Sequence, residues 1–375
     1  MKDRILITGG AGFIGSHLAD QLLEAGYSVR ALDNLDPQVH GEERERPDYL
    51  DTEVELMIGD VRDREAVDRA LDGCSMLVHF AAAVGVGQSM YEISHYTSVN
   101  SLGAAVVLES AADKKDGLRK MLVASSMSIY GEGLYNCPSC GQVAPRLRPA
   151  KQLERYEWEV KCPCCSETCT PLPVPESKQL YPTSIYAINK RDHEEMFLAV
   201  GQAYRIPTCA MRFFNVYGTR QALSNPYTGV GAIFASRLMN DQPPLVFEDG
   251  LQSRDFIHVS DIARACRLAL ESSASNGMTF NVGTGVSSTI LDIGKAIASE
   301  LGKPEDGFMI VNRFRAGDIR HCFSDNSLIS EMLGFKAEVP FGRGVRELCS
   351  WVSQQSPEDR ILKATKELET RGLTR

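Results

Sequence analysis

The first third of the chain alternates short apolar runs with longer stretches whose apolar residues recur at helical spacing. Residues 4–8 form one apolar run, and residues 14–25 place Leu18, Leu22 and Leu23 on one helical face. The same pattern predicts strands at residues 28–32, 53–58, 76–80 and 120–124 and helices at residues 64–71 and 100–112. Strands that alternate with helices predict an α/β fold with a doubly wound parallel sheet.

The pattern is more mixed in the remainder of the chain. It predicts a glycine-rich loop at residues 228–231, a strand at residues 245–247 and a helix near residues 290–301. The stretch from about residue 357 to residue 371 is charge-rich and compatible with a helix, which we expect to be solvated. These elements predict a smaller C-terminal lobe beside the parallel sheet.

Composition narrows the possible functions. The 375 residues are 43% hydrophobic, which is enough for a full core, and the formal net charge is −9. This acidic balance argues against binding to nucleic acid, which requires a basic surface. No apolar run has the length of a membrane span, and the N-terminus lacks the apolar stretch of a secretory signal. We therefore expect a cytoplasmic protein with no membrane partner.

A glycine-rich turn follows the first strand and opens the first helix. Gly9, Gly12 and Gly15 have the G-x-x-G-x-x-G spacing, with Phe13 and Ile14 before the last glycine. Glycine permits a tight turn and lets backbone N–H groups approach a pyrophosphate, toward which the following helix points its positive end. The turn therefore predicts a Rossmann-type dinucleotide site.

The ends of the next strands extend this prediction. Asp33 follows the second strand, where a carboxylate accepts hydrogen bonds from both adenosine ribose hydroxyls and repels a 2′-phosphate. Because the next residue is Asn34 rather than arginine, we predict NAD rather than NADP. Asp60 and Val61 follow the third strand and suit the adenine edge, although Asp60 is equally suited to cap a helix. Close approach to the dinucleotide is expected of Phe80, Ala81 and Ala82.

Tyr186 and Lys190 are candidates for proton transfer. Their i, i+4 spacing places them on one face of a helix, for which residues 182–184 supply a start. A lysine ammonium and a positively charged nicotinamide ring lower the pKa of a tyrosine, so Tyr186 is predicted to act as a general base near neutral pH. Lys190 also suits the nicotinamide ribose.

A third polar residue is expected at a strand end that faces the cofactor. Ser126 ends the fifth predicted strand and is suited to hydrogen-bond the reacting oxygen. Ser125 and Ser128 are alternatives for this role, and both also suit the capping of a turn. Together with Tyr186 and Lys190, the serine predicts hydride transfer at a carbon that bears a hydroxyl group.

These motifs, in this order, resemble the extended short-chain dehydrogenase/reductase family. The resemblance also includes residues 125–131, 212–218 and 254–258, and it covers residue 4 to about residue 351 apart from one insertion. Within the family, the chain is similar to nucleotide-sugar 4-epimerases. The resemblance therefore implies an enzyme that binds NAD and a nucleotide-diphosphate sugar, and it implies a homodimer.

The resemblance also implies roles for residues in the second half of the chain. Asn215 and Arg254 would contact the substrate diphosphate, and Arg315 with Asp318 would hold the phosphate and the nucleoside. The alternative for both arginines is a surface salt bridge. The other implied residues are Val246, Phe247 and Glu248 beside the base, Ser128 in the substrate site, and Asn100 and Phe214 beside the cofactor.

Two positions distinguish the reactions found in this family. Its 4,6-dehydratases carry Asp-Glu directly after the catalytic Thr, and its decarboxylases carry Glu at the second of these positions. Here the matching residues are Met127 and Ser128, which cannot transfer protons in that way. The resemblance thus implies reversible oxidation at C4, rotation of the 4-keto sugar and return of the hydride. The alternatives are a net 4-ketoreductase and an inactive NAD-sensing or scaffold protein, against which the intact Ser126, Tyr186 and Lys190 argue.

Six of the 11 cysteines lie within residues 137–169, which is not the distribution of a disulfide framework. Two C-x-x-C pairs with 21 residues between them suit tetrahedral Zn²⁺, and four thiolates would close the site, so the zinc is expected to be structural. Cys164 and Cys169 leave the fourth ligand open, and a redox or fortuitous cluster is the alternative. The predicted ligands are Cys137, Cys140, Cys162 and Cys165.

A subgroup of dTDP-L-rhamnose 4-epimerases resembles the chain most closely, at residues 87–91 and 224–229 and in its cysteine-rich insertion. It implies conversion of dTDP-L-rhamnose to dTDP-6-deoxy-L-talose, with UDP-glucose, UDP-GlcNAc or UDP-glucuronate as alternative substrates. We divide the chain into an NAD-binding Rossmann domain (1–134 and 176–218), a zinc-ribbon insertion (135–175), a substrate lobe (219–352) and a charged C-terminal tail (353–375).

Overall fold

The fold is described from a computed structural model of the chain. The structure describes residues 3–223, 225, 227, 229–355 and 361–374, without the side chains of residues 361–363. Parts of three predictions lie outside the described residues. These parts are Thr228 of the glycine-rich loop, residues 224 and 226 of the same segment, and residues 356–360 and 375 of the C-terminal tail.

The described chain contains one large parallel sheet and several small sheets. The strands are β1 (Arg4–Thr8), β2 (Ser28–Asp33), β3 (Glu55–Ile58), β4 (Met76–His79), β5 (Lys120–Ser126), β6 (Leu134–Cys137), β7 (Gly141–Val143), β8 (Thr170–Leu172), β9 (Thr208–Phe213), β10 (Asn215–Tyr217), β11 (Leu245–Val246), β12 (Ser253–Arg254), β13 (Phe256–His258), β14 (Thr279–Val282), β15 (Ser288–Thr289), β16 (Met309–Ile310) and β17 (His321–Cys322). The large sheet has seven strands in the order β14-β9-β5-β4-β1-β2-β3, all of them parallel. This order confirms the predicted parallel sheet.

Helices cover both faces of this sheet. They are α1 (Phe13–Glu24), α2 (Pro37–His40), α3 (Arg64–Leu71), α4 (Val86–Ser89), α5 (Ile93–Thr97), α6 (Gly103–Asp113), α7 (Ala150–Leu153), α8 (Ile185–Tyr204), α9 (Val230–Met239), α10 (Val259–Glu271), α11 (Ile290–Glu300), α12 (Ser327–Leu333), α13 (Phe341–Val352) and α14 (Ile361–Thr370). Leu18 and Leu22 of α1 are fully buried with Cys266 of α10 on one face, and Val67 of α3 is buried with Phe197 of α8 on the other. The apolar stripes therefore account for the doubly wound arrangement.

The strand order reverses beside β1, which lies between β2 and β4. In open α/β sheets, ligands bind outside the carboxyl ends of the strands at such a reversal. The glycine-rich turn follows β1 at this point, so the fold places the predicted dinucleotide site in the expected crevice.

The C-terminal part forms a smaller helical layer with its own apolar cluster. Phe234 of α9, Ile293 of α11 and Leu348 of α13 are each about 1% exposed and pack into this cluster. Two short parallel strand pairs, β10 with β13 and β11 with β16, form separate sheets in this part of the chain. The predicted strand near residue 245 and the predicted helix near residue 290 are thereby confirmed.

The cysteine-rich insertion, residues 135–175, has its own small sheet. Strands β7, β6 and β8 pair in antiparallel register, and the sheet lies between β5 and α8 along the chain. A second apolar cluster joins the insertion to the C-terminal layer: Leu153 and Trp158 pack against Phe314. The insertion is therefore attached to the substrate side of the molecule.

The C-terminal helix differs from the sequence prediction. We expected a solvated terminal helix, but Ala364 and Leu368 of α14 are 8% and 6% exposed. The backbone N–H of Ala316 donates to Leu373 O at 2.9 Å, and Arg313 forms an ion pair with Glu369 at 2.6 Å. The helix thus packs against residues 313–316, because its apolar stripe finds a surface that is formed only in the folded chain.

Candidate active site

The glycine-rich turn approaches the end of β4 closely. A Cβ atom on Gly9, which has a φ of +71°, would lie 2.8 Å from the backbone nitrogen of Ala81. A Cβ on Gly15 would lie 2.2 Å from Gly9 O, so both positions require glycine. Gly12 precedes Phe13 and Ile14 at the start of α1, whose first N–H groups have no side-chain cap. An uncapped helix start behind a tight glycine turn fits a pyrophosphate.

Asp33 lies at the end of β2 with its carboxylate held in place. It is 8% exposed and accepts hydrogen bonds from the backbone N–H groups of Ala11 at 3.1 Å and Leu35 at 3.0 Å. Burial raises the pKa of Asp33, and His40, whose Nε2 lies 3.7 Å from Asp33 Oδ1, opposes the rise. The carboxylate is therefore oriented beside the glycine turn, where the sequence predicts an adenosine ribose.

Asp60 does not cap α3. Asp63 takes that role by accepting from the backbone N–H groups of Glu65 and Ala66. Asp60 instead forms an ion pair with Arg62 at 2.6 Å, and hydrogen bonds from Arg62 and Asn34 lower its pKa. The predicted cofactor residues Asn34 and Asp60 are therefore neighbours. Val61 beside them is 5% exposed and packs against Gly103.

The segment after β4 is positioned by Asn100. This fully buried residue accepts from Ala83 N–H at 2.8 Å and donates to Ala83 O at 3.1 Å, from a single turn of π-helix over residues 98–102. Phe80, at the start of the segment, packs edge-on against Phe213. Both ends of the Asn100 amide are hydrogen-bonded to the backbone of Ala83. Asn100 therefore orders the segment that the sequence predicts to lie against the dinucleotide.

Tyr186 and Lys190 lie on the first turns of α8, as their spacing predicts. Ser184 caps the helix by accepting from Ala187 N–H at 3.1 Å, which confirms the predicted helix start. The Lys190 ammonium donates to Ala124 O at 3.0 Å and thereby fixes α8 against β5. Both side chains consequently face the carboxyl edge of the sheet.

Ser126 connects the end of β5 to the tyrosine. Its hydroxyl accepts from Ser128 N–H at 3.2 Å and from Ser128 Oγ at 2.9 Å, and it lies close enough to Tyr186 to influence the pKa of the phenol. Ser125, the alternative, is 2% exposed, and its hydroxyl has no hydrogen-bond partner among the described residues. The structure therefore brings Ser126, Tyr186 and Lys190 together.

The electrostatics of the pair differ from the sequence prediction. Burial raises the pKa of Tyr186 to about 12, while the hydrogen bond with Ser126 opposes the rise. Burial lowers the pKa of Lys190 to about 7. The predicted lowering of the tyrosine pKa is therefore absent from the protein alone, because desolvation favours the neutral phenol. The positive charge of a nicotinamide ring would act in the opposite direction.

A pocket of about 340 Å³ opens next to this constellation. Ser128, Asn215, Phe247 and Arg254, all predicted from the sequence, contribute to its wall. Arg254 donates to the backbone oxygens of Ile319 at 2.7 Å and Arg320 at 2.9 Å. It forms no ion pair within the described part of the chain, so the salt-bridge alternative does not hold for this arginine.

The amide oxygen of Asn215 is buried and has no hydrogen-bond partner among the described residues. At the same wall, the Arg315 guanidinium lies 4.6 Å from the centre of the Phe247 ring and pairs with Asp318 at 2.8 Å. The unpartnered amide oxygen can accept a hydrogen bond from a ligand N–H or O–H group, and the two arginines suit phosphate oxygens. The Phe247 ring suits a flat base.

Two predicted residues lie elsewhere. Val246 is fully buried in the apolar cluster of the C-terminal layer and does not line the pocket. Side chains alternate along a strand, so Val246 points to the core when its neighbour Phe247 faces the pocket. Phe214 is 4% exposed and packs near the Tyr130 ring, in a cluster that also includes Met127. Both are packing residues in this structure.

Sequence reasoning missed one wall of the pocket. Ala364, Thr365 and Leu368 of α14 and Leu373 after it line the pocket. The δ carbons of Leu368 would lie 3.5 Å from a Cβ on Gly87, across the opening. The signal was present as an i, i+4 apolar pair at residues 364 and 368, but the surrounding charges suggested a solvated helix.

The predicted cysteine ligands come together in the insertion. The Sγ atoms of Cys137, Cys140, Cys162 and Cys165 all lie within 4.8 Å of one another, and two of the residues are buried. Tetrahedral zinc with Zn–S bonds of about 2.3 Å places its sulfurs about 3.8 Å apart. Cys169, although buried nearby, is not part of this group. The donor set and its geometry fit a closed zinc site.

No helix among the described residues is long and apolar enough to cross a lipid bilayer.

Comparisons with known proteins agree with this geometry. The sequence pattern of the NAD dependent epimerase/dehydratase family matches residues 5–152 and 166–283. The interval between the matched segments lies in the cysteine-rich insertion. The dTDP-L-rhamnose 4-epimerase of Burkholderia thailandensis is 34% identical over 356 residues, which cover 94% of this chain and 95% of the relative.

Solved structures with the same fold include two epimerases. The UDP-glucose 4-epimerase of Thermotoga maritima with UDP-glucose has a TM-score of 0.75 and 27% identity, covering 94% of this chain and 99% of that chain. The UDP-glucose 4-epimerase of Thermus thermophilus in complex with NAD has a TM-score of 0.74 and 28% identity, covering 94% and 100%. The chain therefore belongs to the NAD dependent epimerase/dehydratase family of enzymes.

Proposed function

We propose that the protein catalyses the NAD-dependent 4-epimerisation of a nucleotide-diphosphate sugar. The observation that carries the proposal is the grouping of Ser126, Tyr186 and Lys190 at the end of β5 and the start of α8, beside a pocket lined by Arg254 and Arg315. This grouping supplies proton transfer to a hydroxyl group, and the arginines supply the charge that a diphosphate requires. The family membership and the epimerases among the relatives support the same reaction.

Each residue has a defined task in this reaction. Tyr186 takes the proton from the sugar hydroxyl at C4, and Ser126 holds the reacting oxygen by hydrogen bonding. Lys190, buried behind the tyrosine, supplies positive charge when protonated and thereby favours the phenolate. NAD in the groove beside the glycine turn and Asp33 would accept the hydride and return it. The 4-keto sugar rotates between the two transfers, and Tyr186 then returns its proton to the new hydroxyl.

The pocket disfavours elimination and decarboxylation. Met127 and Ser128 line the wall where other family members carry carboxyl groups, and neither transfers protons in that way. Among the described residues, two carboxylates line the pocket, and both are paired. Glu248 binds Arg148 at 2.7 Å, and Asp318 binds Arg315 at 2.8 Å. Both carboxylates are thus engaged by arginines, which suits positioning better than proton transfer to the sugar.

For the sugar, we propose a 6-deoxyhexose carried by dTDP, namely dTDP-L-rhamnose converted to dTDP-6-deoxy-L-talose. The relative from Burkholderia thailandensis supports this choice. Val86, Met90, Met127 and Leu368 add an apolar surface to the pocket, which suits a methyl group better than a carboxylate or a hydroxymethyl group. UDP-glucose, UDP-GlcNAc and UDP-glucuronate are the alternative substrates, and the UDP-glucose 4-epimerases among the structural neighbours favour them.

We also propose a structural zinc ion at Cys137, Cys140, Cys162 and Cys165. Four thiolates complete a tetrahedral site and leave no position for substrate, so the metal would order the insertion. Metal analysis of purified protein is expected to give about one zinc per chain. In a Cys140→Ser variant the zinc content should fall, whereas Cys164→Ser, which alters a neighbouring exposed cysteine outside the group, should leave it unchanged.

A homodimer is also proposed. Ile93, Leu102 and Ile188 are 50%, 53% and 43% exposed, and they lie on elements that pack together around α8. Exposed apolar residues on neighbouring helices suit an interface between two copies of the chain. We retain the division into a cofactor domain, a zinc insertion and a substrate lobe as part of the proposal, with α14 added to the substrate side.

The experiment that tests the reaction uses purified protein without added cofactor. It is expected to contain bound NAD and to interconvert one pair of 4-epimers from a panel of dTDP-, UDP- and GDP-sugars, with products identified by NMR. A strict requirement for stoichiometric NADH would instead establish a 4-ketoreductase. Absence of turnover with every sugar, despite bound NAD, would contradict the proposed function.

A further inference from the structure

The cysteine-rich insertion contacts the substrate pocket through buried charge. Arg148 of the insertion has a side chain only 1% exposed, and it pairs with both carboxylate oxygens of Glu248, at 2.9 Å and 2.7 Å. Glu248 is itself 2% exposed and lines the pocket. A two-point arginine–carboxylate pair fixes the orientation as well as the position of both partners.

A second arginine extends the contact. Arg320 is fully buried and binds Glu248 at 3.0 Å, Asp249 at 2.7 Å and Glu159 of the insertion at 2.6 Å. Glu159 also lies 3.2 Å from His321. The insertion therefore shares one ion network with residues 248–249 and residues 320–321 of the substrate lobe.

The residue held by this network has an unusual backbone. Glu248 has a φ of +51°, a left-handed conformation that non-glycine residues seldom adopt. Such conformations persist where the surrounding contacts determine them. Glu248 follows Phe247 directly, so the network determines the direction of the chain at the ring that faces the pocket.

The insertion also supports the residue on the other side of the same contact. Leu153 and Trp158 of the insertion pack against Phe314, and all three are 7–8% exposed. Phe314 precedes Arg315, whose guanidinium lies 4.6 Å from the centre of the Phe247 ring. The insertion therefore fixes the residue next to each partner of the Phe247–Arg315 contact. An ion pair holds Glu248, which follows Phe247, and apolar packing holds Phe314, which precedes Arg315.

We infer that the insertion is a positioning element for the nucleoside diphosphate half of the substrate. Arg148 and Trp158 are its positioning residues: they act on Phe247 and Arg315 through Glu248 and Phe314, and they do not line the pocket themselves. The inference rests on the proposed function, since it assigns Phe247 and Arg315 to the nucleoside diphosphate. The cysteine cluster would then affect substrate binding indirectly, because a metal that orders the insertion also orders the pocket wall at Phe247 and Arg315.

The test compares Arg148→Gln and Trp158→Ala with Arg155→Gln, a matched change at an exposed arginine of the same insertion. Calorimetry with UDP and with dTDP measures the Kd of each variant, and steady-state kinetics separate KM from kcat. Both positioning variants should raise the Kd and the KM by about 2- to 30-fold, the range typical of residues that couple sites. Values of kcat and bound NAD should stay close to wild type. Arg148→Lys should give an intermediate Kd, because it keeps the charge but loses the two-point pairing.

Two results would overturn the inference: wild-type nucleotide affinity in folded Arg148→Gln and Trp158→Ala, or a loss confined to kcat. If Arg148→Gln fails to fold by circular dichroism, Arg148→Lys, which keeps the buried charge and leaves the pocket wall unchanged, is judged by the same Kd. Wild-type protein that binds UDP or dTDP without epimerising sugars would contradict the proposed reaction and leave this inference standing.

Discussion

The cofactor groove and the substrate pocket are built in different ways from the same chain. The groove uses residues that follow consecutive strands, such as Gly9 after β1 and Asp33 at the end of β2, so its parts are adjacent by topology. The pocket takes its walls from positions as distant as Val86 and Leu373. The groove is therefore determined by the sheet, whereas the pocket depends on how later segments return to it. Variants in the groove should therefore affect NAD binding, and variants in the pocket should affect binding of the nucleotide sugar.

The largest effect is expected at the junction of the two regions. Tyr186→Phe removes the group proposed to transfer the proton, so kcat should fall by about 10²- to 10⁴-fold. Bound NAD should remain, because the glycine turn and Asp33 are unchanged. Tyr204→Phe, at the exposed end of the same helix, is the matched control and should retain full activity. Undiminished turnover of Tyr186→Phe would remove the residue from the mechanism.

A change in the groove should weaken the cofactor without altering the pocket. Asp33→Ala removes the carboxylate predicted to bind the ribose, and losing hydrogen bonds to a charged group typically weakens binding by about 10- to 100-fold. The measurement is the Kd for NAD on stripped protein, with Asp48→Ala at an exposed position as the control. If Asp33→Ala binds NAD as tightly as wild type, the carboxylate does not hold the cofactor.

A change on α14 should weaken binding of the nucleotide sugar without altering binding of NAD. Leu368→Asp places a charge in the apolar wall of the pocket and should raise the KM for the nucleotide sugar by about tenfold or more. Lys366→Asp puts the same residue on the exposed side of the helix and should leave the KM unchanged. Loss of bound NAD in Leu368→Asp would contradict the separation of the two regions.

The smallest effect concerns Lys190 and pH. Burial lowers its pKa from 10.5 to about 7, so between these values the unfolded chain binds a proton that the folded chain does not. The free energy of unfolding of NAD-free protein should therefore gain up to about 1.4 kcal/mol per pH unit from this residue as the pH rises from 7 to 9. Lys190→Met should lose that contribution in urea titrations, while Lys151→Met at an exposed site should keep it. If the free energy of unfolding depends on pH equally in wild type and Lys190→Met, the pKa of Lys190 is not lowered by burial.

Most strands of the large sheet could be predicted because they are short apolar runs buried on both faces. The strands β9 and β14 were missed, and β9 shows one reason. Arg212 interrupts the apolar pattern of β9. Its buried guanidinium donates two hydrogen bonds to Glu194, at 2.9 Å and 2.5 Å, and further ones to Tyr130 Oη and Glu176 O. A sequence pattern records the charge but not its partner, so a strand of this kind is not recognised from hydropathy.

The candidate site shows the same limit in another form. Ser126, Tyr186 and Lys190 were predictable because their spacing on one strand end and one helix carries the geometry. Val246 was assigned to the pocket, although it belongs to the core, because a two-residue strand is too short to show which side chain alternates inward. The role of α14 was missed because its apolar stripe is short and surrounded by charge.

The sequence by itself predicted five strands of the large sheet, the glycine turn, Asp33, the proposed proton-transfer residues and the four cysteines, because each depends on spacing within one or two elements. Only the tertiary structure decided which segments close the pocket. It brought Arg148 of the insertion to Glu248 and Leu368 of the last helix to Gly87. Such contacts join residues that are far apart in the chain. A buried charge or a short apolar stripe is stabilised only by its partner in the folded protein, and the local sequence does not identify that partner.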